Sequence, residues 1–407
     1  MSDPKDIFEK ILSWWIRIRR SIGLRVERAL ARQGLSGLLD SGTSKGADAP
    51  LQGKFCPNPF RKLELEEDGS AFACCSAWLP TPMGNLKHKT LDELWNGHVM
   101  QKIRESIYDG SFRYCRHDRC PRIQNNSLPS LEEGEQEADI GPAVKNRSMV
   151  LDTPPVLLNL CNDRSCNLYC PSCRTERINF RAGPEYQSRL DLQKRLLDPY
   201  LDGPPEQAFT LSVTGSGDPF ASKIFREQLF ALDGRKYPNM RINLQTNGVL
   251  LTPKTWRRMH AIHENIEAVF LSIDAATEPT YDITRRGGHW DTLMENCRRL
   301  GEFRASGQLK YLRFDFVAQL ANYTEMPAFV ELSRTLGADC AYFSRLLDWG
   351  TWPRKEFLQQ CVWETSHPLY DDFMRVLADP CLHDSFVDSG NLNKYFEAAV
   401  YQIDVTV

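Results

Sequence analysis

Three cysteines stand close together in the middle of the chain: Cys166, Cys170 and Cys173. They follow an apolar run, Val156 to Leu160, that predicts a buried strand. Cysteine thiolates are the usual ligands of iron–sulfur clusters, and an iron that lacks a protein ligand can bind a small molecule. Because no fourth cysteine continues the spacing, the triplet predicts a cluster with one open iron at the end of a strand.

A second group of cysteines lies upstream, at Cys56, Cys74, Cys75, Cys115 and Cys120. Leu63 to Glu66 alternates like a strand, Asp68-Gly69 predicts a hairpin turn, and Ala71 to Cys74 reads as the return strand. The hairpin would carry Cys74 back toward Cys56. Four thiolates suit zinc or an iron–sulfur cluster equally well by count, so both remain open.

A helix and a polar stretch come after this hairpin. Apolar residues at helical spacing predict one amphipathic helix from Leu91 to Ile107, with Thr90 as its N-cap. This helix would deliver the chain to Cys115 and Cys120. Beyond them, residues 124–148 are polar and acidic, which indicates a linker between domains.

The rest of the chain alternates apolar runs with helical patterns. We expect strands at 156–160, 209–214, 242–245, 268–273, 312–319 and 340–345. We expect helices at 185–197, 222–232, 253–260, 291–303 and 325–336. Such alternation is typical of a parallel sheet covered by helices, and the pattern alone permits either a barrel or a doubly wound sheet. In both, the active site lies at the carboxyl ends of the strands.

Polar residues and glycines come after three of these strands. The second strand ends in Thr214-Gly215-Ser216-Gly217-Asp218-Pro219, the third in Thr246-Asn247-Gly248 and the fourth in Ser272-Ile273-Asp274. The glycines would let the backbone approach a ligand, and strand-end amides and carbonyls could bind its polar groups. These segments would therefore share one edge of the sheet with the cysteine triplet.

Composition and charge narrow the class of protein. The chain has 407 residues, 42% of them hydrophobic and 25% charged, so we expect a packed core and two domains. Its net charge of -3 gives no reason to propose nucleic acid as a partner. Thirteen cysteines, an odd number, argue against a pure disulfide framework and favour metal-bound thiolates in a reducing cytoplasm.

Residues 1–35 have a character of their own. They interleave isoleucine, leucine and Trp14-Trp15 with eight Lys and Arg against four Asp and Glu. The pattern predicts a basic amphipathic helix, which could lie on the inner membrane surface or pack on the protein itself. The apolar run Ile11 to Ile16 is too short to span a bilayer.

The segment Cys166-Asn167-Leu168-Tyr169-Cys170-Pro171-Ser172-Cys173 resembles the signature of the radical S-adenosylmethionine (SAM) superfamily. The resemblance implies a partial (β/α)6 barrel of the TIM-like kind, and a [4Fe–4S] cluster whose open iron binds SAM. It also implies reductive cleavage of SAM to a 5′-deoxyadenosyl radical that abstracts a substrate hydrogen atom. A one-electron reductant such as flavodoxin or ferredoxin would supply the electron.

The resemblance also assigns cofactor-binding residues at the strand ends. Gly215, Ser216, Gly217 and Asp218 match the glycine-rich SAM motif, with Asp218 where glutamate is common. Ser272 and Asp274 match residues near the SAM ribose, and Asp274 could face either the ribose or the substrate. Of Arg285 and Arg286, we select Arg286 as the arginine that clamps the SAM carboxylate.

Cys56, Gly69, Cys74, Leu91-Asp92-Glu93-Leu94-Trp95 and the late cysteine pair are similar to the SPASM/twitch auxiliary-cluster domain. This implies a second [4Fe–4S] cluster on Cys56, Cys74, Cys115 and Cys120, with Cys75 as the alternative to Cys74. The domain usually follows the barrel, whereas here it precedes it. We therefore expect five segments: a basic helix and linker (1–53), the auxiliary domain (54–124), a linker (125–150), the barrel (151–350) and a C-terminal extension (351–407).

The resemblance implies an oxidoreductase or epimerase type of enzyme, and leaves the substrate open. Among a small molecule, a glycan and a peptide, we favour oxidation or epimerisation of a carbohydrate-like or other small hydroxylated substrate, with peptide modification as the alternative. In an epimerisation, Cys340 or Cys361 would return the hydrogen atom, although plain packing also explains both. A zinc-binding structural protein is the alternative from another class.

Overall fold

The computed structural model describes residues 51–404, which fold as two units. The small unit contains the described residues up to Leu63, together with Ser70–Cys120 and Ser127–Pro155. The large unit contains Glu64–Gly69, Pro121–Asn126 and the chain from Val156 onward. The basic helix and the linker predicted within 1–53 lie almost wholly outside the described residues, so both stay predictions.

The first part of the described chain consists of short elements. In chain order they are α1 (Asn58–Arg61), β1 (Lys62–Glu66), β2 (Ser70–Phe72), β3 (Gly84–Asn85), α2 (Leu91–Trp95), α3 (His98–Tyr108), α4 (Pro121–Gln124), α5 (Leu131–Glu135) and α6 (Gly141–Lys145). Strand β2 pairs with β3 in antiparallel fashion. Gly69 occupies the turn before β2 at φ 86, a conformation that favours glycine.

The small unit has an aromatic core. The ring of Phe60 packs against Phe55 at 5.1 Å and against Tyr108 at 5.4 Å. The fully buried Arg104 guanidinium lies 4.5 Å from the Trp95 ring and donates to the carbonyl of Pro59. A buried cation needs such partners, because transfer of an unpaired charge from water into the protein interior is strongly unfavourable.

Two stretches of the small unit differ from the sequence-based expectation. The single helix expected from Leu91 to Ile107 is two helices, because the chain leaves helical geometry at Asn96 and restarts from Gly97. Thr90 caps the first of them as expected, in a capping box with Glu93. The segment expected to be a linker contains α5 and α6, and Ser130 caps α5 through a second capping box.

The large unit continues with alternating strands and helices. They are β4 (Leu157–Cys161), α7 (Gly183–Leu201), β5 (Phe209–Val213), α8 (Lys223–Ala231), β6 (Met240–Thr246), α9 (Pro253–Arg258), β7 (Ile266–Ser272), α10 (Glu278–Thr284), α11 (Trp290–Ala305), β8 (Leu312–Ala318), α12 (Met326–Thr335), β9 (Cys340–Arg345), α13 (Arg354–Gln360), α14 (Tyr370–Leu377), β10 (Val387–Asp388) and α15 (Asn393–Asp404). Short 3₁₀ turns join several of these elements.

Strands β4 to β9 pair in parallel and in strict sequence order. A doubly wound sheet would reverse its strand order at a switch point, and this sheet has no reversal between β4 and β9. The order is that of a singly wound β/α barrel, so the predicted fold class is confirmed. The short strand β10 adds one more parallel partner beside β9.

The two faces of this sheet differ in chemistry. Side chains such as Leu158, Leu211, Leu244 and Phe314 alternate onto one buried apolar face. The other face carries polar side chains in register on neighbouring strands, which places Asn159 beside Ser212 and Ser212 beside Asn243. The sheet therefore has an apolar core on one side and a polar floor on the other.

All thirteen cysteines lie within the described residues, and all are free of disulfide bonds. Across residues 51–404, none of the helices combines the length and the hydropathy that a bilayer crossing requires.

Candidate active site

The loop after β4 carries the cysteine triplet and is held by a buried hydrogen-bond network. The carboxylate of Asp163 accepts from the Ser165 amide at 2.9 Å and from the Ser222 hydroxyl at 2.6 Å. Ser165 in turn accepts from the amide of Phe180 through its hydroxyl at 2.8 Å. The Cys166 amide donates to the carbonyl of Ile178 at 2.9 Å, which closes the loop on itself. The loop is thus fixed on both sides of the triplet.

Each thiol of the triplet has a nitrogen donor beside it. The Asn247 amide nitrogen lies 3.7 Å from Cys166 Sγ. The Arg285 guanidinium lies 4.0 Å from Cys170 Sγ. The Arg174 guanidinium donates to Cys173 Sγ at 3.3 Å. These donors suit thiolates, since hydrogen bonds to sulfur and nearby cations stabilise negative charge there.

Burial acts against these thiols ionising by themselves. Together with the nearby Asp218, it raises the pKa of Cys166 to about 12. Burial also raises the pKa of Cys170, against the opposing effect of Arg285. A bound metal reverses this balance because a coordinating thiol is deprotonated. The donor set of three clustered thiols with N–H groups at the sulfurs fits an iron–sulfur cluster.

The glycine-rich turn after β5 packs on this loop. A Cβ on Gly215 would lie 2.6 Å from Cys161 Sγ, and one on Gly217 would lie 2.6 Å from the Asp163 carbonyl oxygen. Sequence reasoning expected these glycines to let a ligand approach. In the structure they let the turn approach the cysteine loop, while the Ser216 hydroxyl donates to the carbonyl of Cys161 at 2.9 Å.

Asp218 uses both of its carboxylate oxygens within the protein. One oxygen accepts from the amides of Phe220 at 3.0 Å and Ala221 at 3.1 Å. The other accepts from the Thr246 hydroxyl at 2.7 Å and the Asn247 amide at 3.0 Å. The carboxylate is fully buried. Asp218 therefore joins the ends of β5 and β6, and it positions Asn247, the residue beside Cys166.

Ser272 and Asp274 lie at the end of β7, where the sequence predicted them. Ser272 is half-buried and pairs in register with Asp315. Asp274 is buried and accepts from the Val317 amide at 2.7 Å. Its other oxygen contacts the Arg285 guanidinium at 2.8 Å. Arg286, the arginine selected from the sequence, is exposed, so Arg285 is the one turned toward the cysteine triplet, 4.0 Å from Cys170 Sγ.

Several buried polar atoms near these residues lack a partner in the described part of the chain. They include Nε2 of Gln319, the hydroxyl of Tyr281 and Nε of Arg285. Tyr281 lies close enough to Cys170 and Arg285 that both affect its pKa, which burial raises. A buried polar atom without a partner costs free energy, so such atoms fit a site that binds a polar ligand. SAM, with its amino, carboxylate and adenine groups, is a ligand of that kind.

The second cysteine group converges within the small unit. Burial raises the pKa of the Cys115 thiol, and Cys56, Cys120 and Cys74 raise it further. Cys74 Sγ also accepts from the Asn58 amide nitrogen at 3.2 Å. Among residues 51–404, no three Cys, His, Asp or Glu side chains are close enough to share one metal ion.

The two candidate hydrogen donors lie at opposite ends of β9. Cys340 begins that strand, at the end far from the cysteine triplet. Cys361 comes directly after α13, and Arg345 at the carboxyl end of β9 is close enough to affect its pKa. Burial raises the pKa of Cys361 to about 11, and its thiol donates to the Phe357 carbonyl at 3.2 Å.

Sequence reasoning did not select Arg174, Arg285 or Asn247 as site residues. Arg174 comes directly after the last cysteine, and an arginine next to a metal ligand was a usable signal. Asn247 stood in the strand-end segment that the sequence identified, without an assigned role. Nothing in the sequence separates Arg285 from Arg286, because only the end of α10 at Thr284 decides which of the two turns inward.

Comparison with known families agrees with this geometry. Residues 164–307 match the radical SAM superfamily. Residues 56–121 match SPASM, an iron–sulfur cluster-binding domain. No curated protein matches the sequence.

Several solved structures are similar at low identity. SuiB of Streptococcus suis bound to precursor peptide SuiA is 14% identical with a TM-score of 0.42, over 83% of this chain and 73% of that chain. Native anSMEcpe with bound AdoMet is 18% identical with a TM-score of 0.36, over 55% of this chain and 59% of that chain, less than two thirds of its length. TYW1 with a lysine-pyruvate adduct bound is 19% identical with a TM-score of 0.34, over 57% of this chain and 72% of that chain.

A singly wound β/α sheet with clustered thiols at its carboxyl edge defines an iron–sulfur enzyme of the barrel class. The chain contains a radical SAM domain at residues 164–307 and, before it in the sequence, a SPASM domain at residues 56–121. Its cofactors are therefore a [4Fe–4S] cluster with SAM in the radical SAM domain, and auxiliary iron–sulfur chemistry in the SPASM domain.

Proposed function

We propose that the protein oxidises or epimerises a small hydroxylated, carbohydrate-like substrate. Cys166, Cys170 and Cys173 would hold the SAM cluster, and Cys56, Cys74, Cys115 and Cys120 would hold the auxiliary cluster. When bound, the SAM cluster and SAM supply a 5′-deoxyadenosyl radical able to abstract a hydrogen atom from carbon. A flavodoxin or ferredoxin would deliver the electron. The contribution of the protein is to bind the substrate, orient one carbon and exclude water.

The polar floor of the sheet is the observation that carries this proposal. Asn159, Ser212 and Asn243 stand in register on three adjacent strands. Side-chain amides and hydroxyls both donate and accept hydrogen bonds, which matches the hydroxyl groups of a sugar. Oδ1 of Asn243 is buried without a partner among the described residues, so it has an acceptor to offer. Glu64 supports Asn159 by accepting from its amide at 2.7 Å.

A rigid ion pair completes this floor on β8. Arg313 donates to Asp315 through two contacts of 2.6 and 3.0 Å. The guanidinium lies 4.2 Å from the Phe270 ring on one side and 4.4 Å from the Tyr342 ring on the other. Asp315 is in register with Ser272, which lies at the edge near the cluster thiols. A group held this firmly can orient a substrate without losing conformational entropy on binding.

Oxidation and epimerisation differ in the step after the first hydrogen abstraction. In an oxidation, the substrate radical loses a second electron and a proton, and the auxiliary cluster would accept that electron. In an epimerisation, a neutral thiol returns a hydrogen atom from the opposite face, and the thiyl radical left behind would take one electron from the flavodoxin or ferredoxin and one proton to regenerate the thiol. Cys361 suits that role better than Cys340, because it lies near Arg345 at the carboxyl end of β9, whereas Cys340 begins the strand. Burial raises the pKa of both thiols, so both stay protonated.

The test is an anaerobic incubation of the reconstituted full-length protein with SAM, dithionite and defined substrate panels in heavy water. One panel contains monosaccharides, aminocyclitols and their nucleotide-linked forms, and the other contains short peptides. We expect sugar-dependent formation of 5′-deoxyadenosine. Solvent deuterium at a substrate carbon identifies epimerisation, and loss of two hydrogens without deuterium identifies oxidation. Turnover with peptides alone would overturn the proposal for a carbohydrate-like substrate.

A further inference from the structure

Arg174 connects the cysteine loop to the glycine-rich turn and contacts a cluster cysteine. Its guanidinium donates to Cys173 Sγ at 3.3 Å, to the Arg164 carbonyl at 2.7 Å and to the Ser216 carbonyl at 2.8 Å. The side chain is buried, with 6% of the residue exposed. Three fixed acceptors therefore hold one planar cation against the sulfur of the last cysteine of the triplet.

The charge of Arg174 is not balanced by a carboxylate. The other cation at the triplet, Arg285, forms an ion pair with Asp274 at 2.8 Å, which offsets its charge. Within residues 51–404, the partners of the Arg174 guanidinium are two neutral carbonyl oxygens and Cys173 Sγ. Its positive charge therefore lies beside the Cys173 sulfur without an ion pair.

We propose that Arg174 is a positioning residue that raises the reduction potential of the SAM cluster and fixes the cysteine loop on the glycine-rich turn. This inference rests on the proposed assignment of that cluster to Cys166, Cys170 and Cys173. Nothing in it depends on the identity of the substrate.

The physical reason is that reduction adds one negative charge to the cluster and its thiolates. A nearby cation and an N–H donor at sulfur stabilise the reduced state more than the oxidised state. Because Arg174 is buried, solvent screens its charge only weakly. Loss of the guanidinium therefore makes the cluster harder to reduce, even where the three cysteines still bind iron.

The test compares Arg174→Met with the wild-type holoprotein in an anaerobic redox titration followed by electron paramagnetic resonance. The signal that disappears in Cys166→Ala is assigned to the SAM cluster. We expect Arg174→Met to lower the ratio of reduced to oxidised cluster about tenfold at a fixed potential, a shift of ~59 mV for a one-electron couple. Arg174→Lys, which keeps the charge, should restore most of the ratio.

Arg177→Met is the matched control, since Arg177 is an exposed arginine of the same loop that stacks on Tyr169 at 5.2 Å. It should leave the potential unchanged. Full iron content in Arg174→Met with an unchanged potential would overturn the inference. If Arg174→Met lost its iron, the iron content of Arg174→Gln and Arg174→Lys would be measured as well. Iron retained by the lysine variant alone supports a requirement for the positive charge, and loss of iron in all three variants rejects that requirement.

The two assumptions fail in different ways. If Cys166→Ala kept every cluster signal, the assignment of the SAM cluster would be wrong whatever Arg174 does. If the signal disappeared as assigned and Arg174→Met had the wild-type potential with full iron, only the role of Arg174 would be lost.

Discussion

Arg285 and Asp274 form a buried ion pair with a contact of 2.8 Å, in which 13% and 1% of the two side chains are exposed. Burial lowers the pKa of Arg285, but Asp274 opposes that effect, and the pKa lies above its ordinary value. The guanidinium is therefore a permanent cation, 4.0 Å from Cys170 Sγ. Asp274 adopts φ 61, a backbone conformation that asparagine and aspartate tolerate better than most residues.

The first prediction concerns this pair. Asp274→Asn keeps the backbone preference but leaves the Arg285 charge buried without its carboxylate. We expect the free energy of unfolding to fall by ~3 kcal/mol. The double variant Asp274→Asn with Arg285→Met should recover part of that loss, because it removes the uncompensated charge. Urea denaturation of the wild type, the two single variants and the double variant measures the coupling energy of the pair. A double variant whose loss of stability equals the sum of the two single losses would contradict the prediction.

The alternating pattern of the large unit was predictable because apolar strands and amphipathic helices carry different periodicities. Strand β9 has the bounds that the sequence predicts, 340–345, and the other five strands differ from prediction by a few residues at their ends. The singly wound order was not predictable from periodicity, since both parallel architectures share it. The short helix α10 was missed because its polar turn has too few apolar positions to show a period.

The details of the site depend on contacts between distant parts of the chain. The spacing of the cysteine triplet is local, so the sequence reveals it. The donors beside those sulfurs come from three loops, and no local pattern pairs Asn247 with Cys166 across 81 residues. For the same reason Asp218, expected to bind the cofactor, could not be recognised from sequence as the link between two strand ends.

A second prediction concerns Asp218. Asp218→Asn replaces one acceptor oxygen by a donor that faces a backbone N–H group, so at least one of its four hydrogen bonds is lost. We expect a loss of ~3 kcal/mol in the free energy of unfolding, as for other buried networks with an unsatisfied member. Binding of SAM should weaken as well, because Asn247 loses its support. Asp282→Asn, at an exposed position of α10, is the control and should change neither quantity.

A third prediction separates the adjacent cysteines of the small unit. Cys74 raises the pKa of Cys115, and its Sγ accepts from the Asn58 amide nitrogen at 3.2 Å. We therefore expect Cys74→Ala to lower the iron content by about four atoms per chain, the content of one cubane cluster. Cys75→Ala should retain the wild-type iron content. The measurement is iron and sulfide analysis after anaerobic reconstitution, and the reverse result would assign the ligand to Cys75.

The last prediction applies to an epimerisation and compares Cys340 with Cys361. Cys340 begins β9, and Cys361 lies near Arg345, the last residue of that strand. A hydrogen-atom donor must be a neutral thiol. An ordinary cysteine, with a pKa of about 8.5, would lose its proton as the pH rises toward about 9. Because the folded-state pKa of Cys361 is raised to about 11, its thiol persists through that range. Deuterium transfer to the product should therefore stay constant between about pH 7 and about pH 9.

Cys361→Ala should abolish this transfer while 5′-deoxyadenosine still forms, and Cys340→Ala should leave it intact because Cys340 lies at the amino end of the strand. The readout is mass spectrometry of the product from reactions in heavy water. Transfer that declines with a midpoint near about pH 8.5, or that survives Cys361→Ala, would show that another group donates the hydrogen atom.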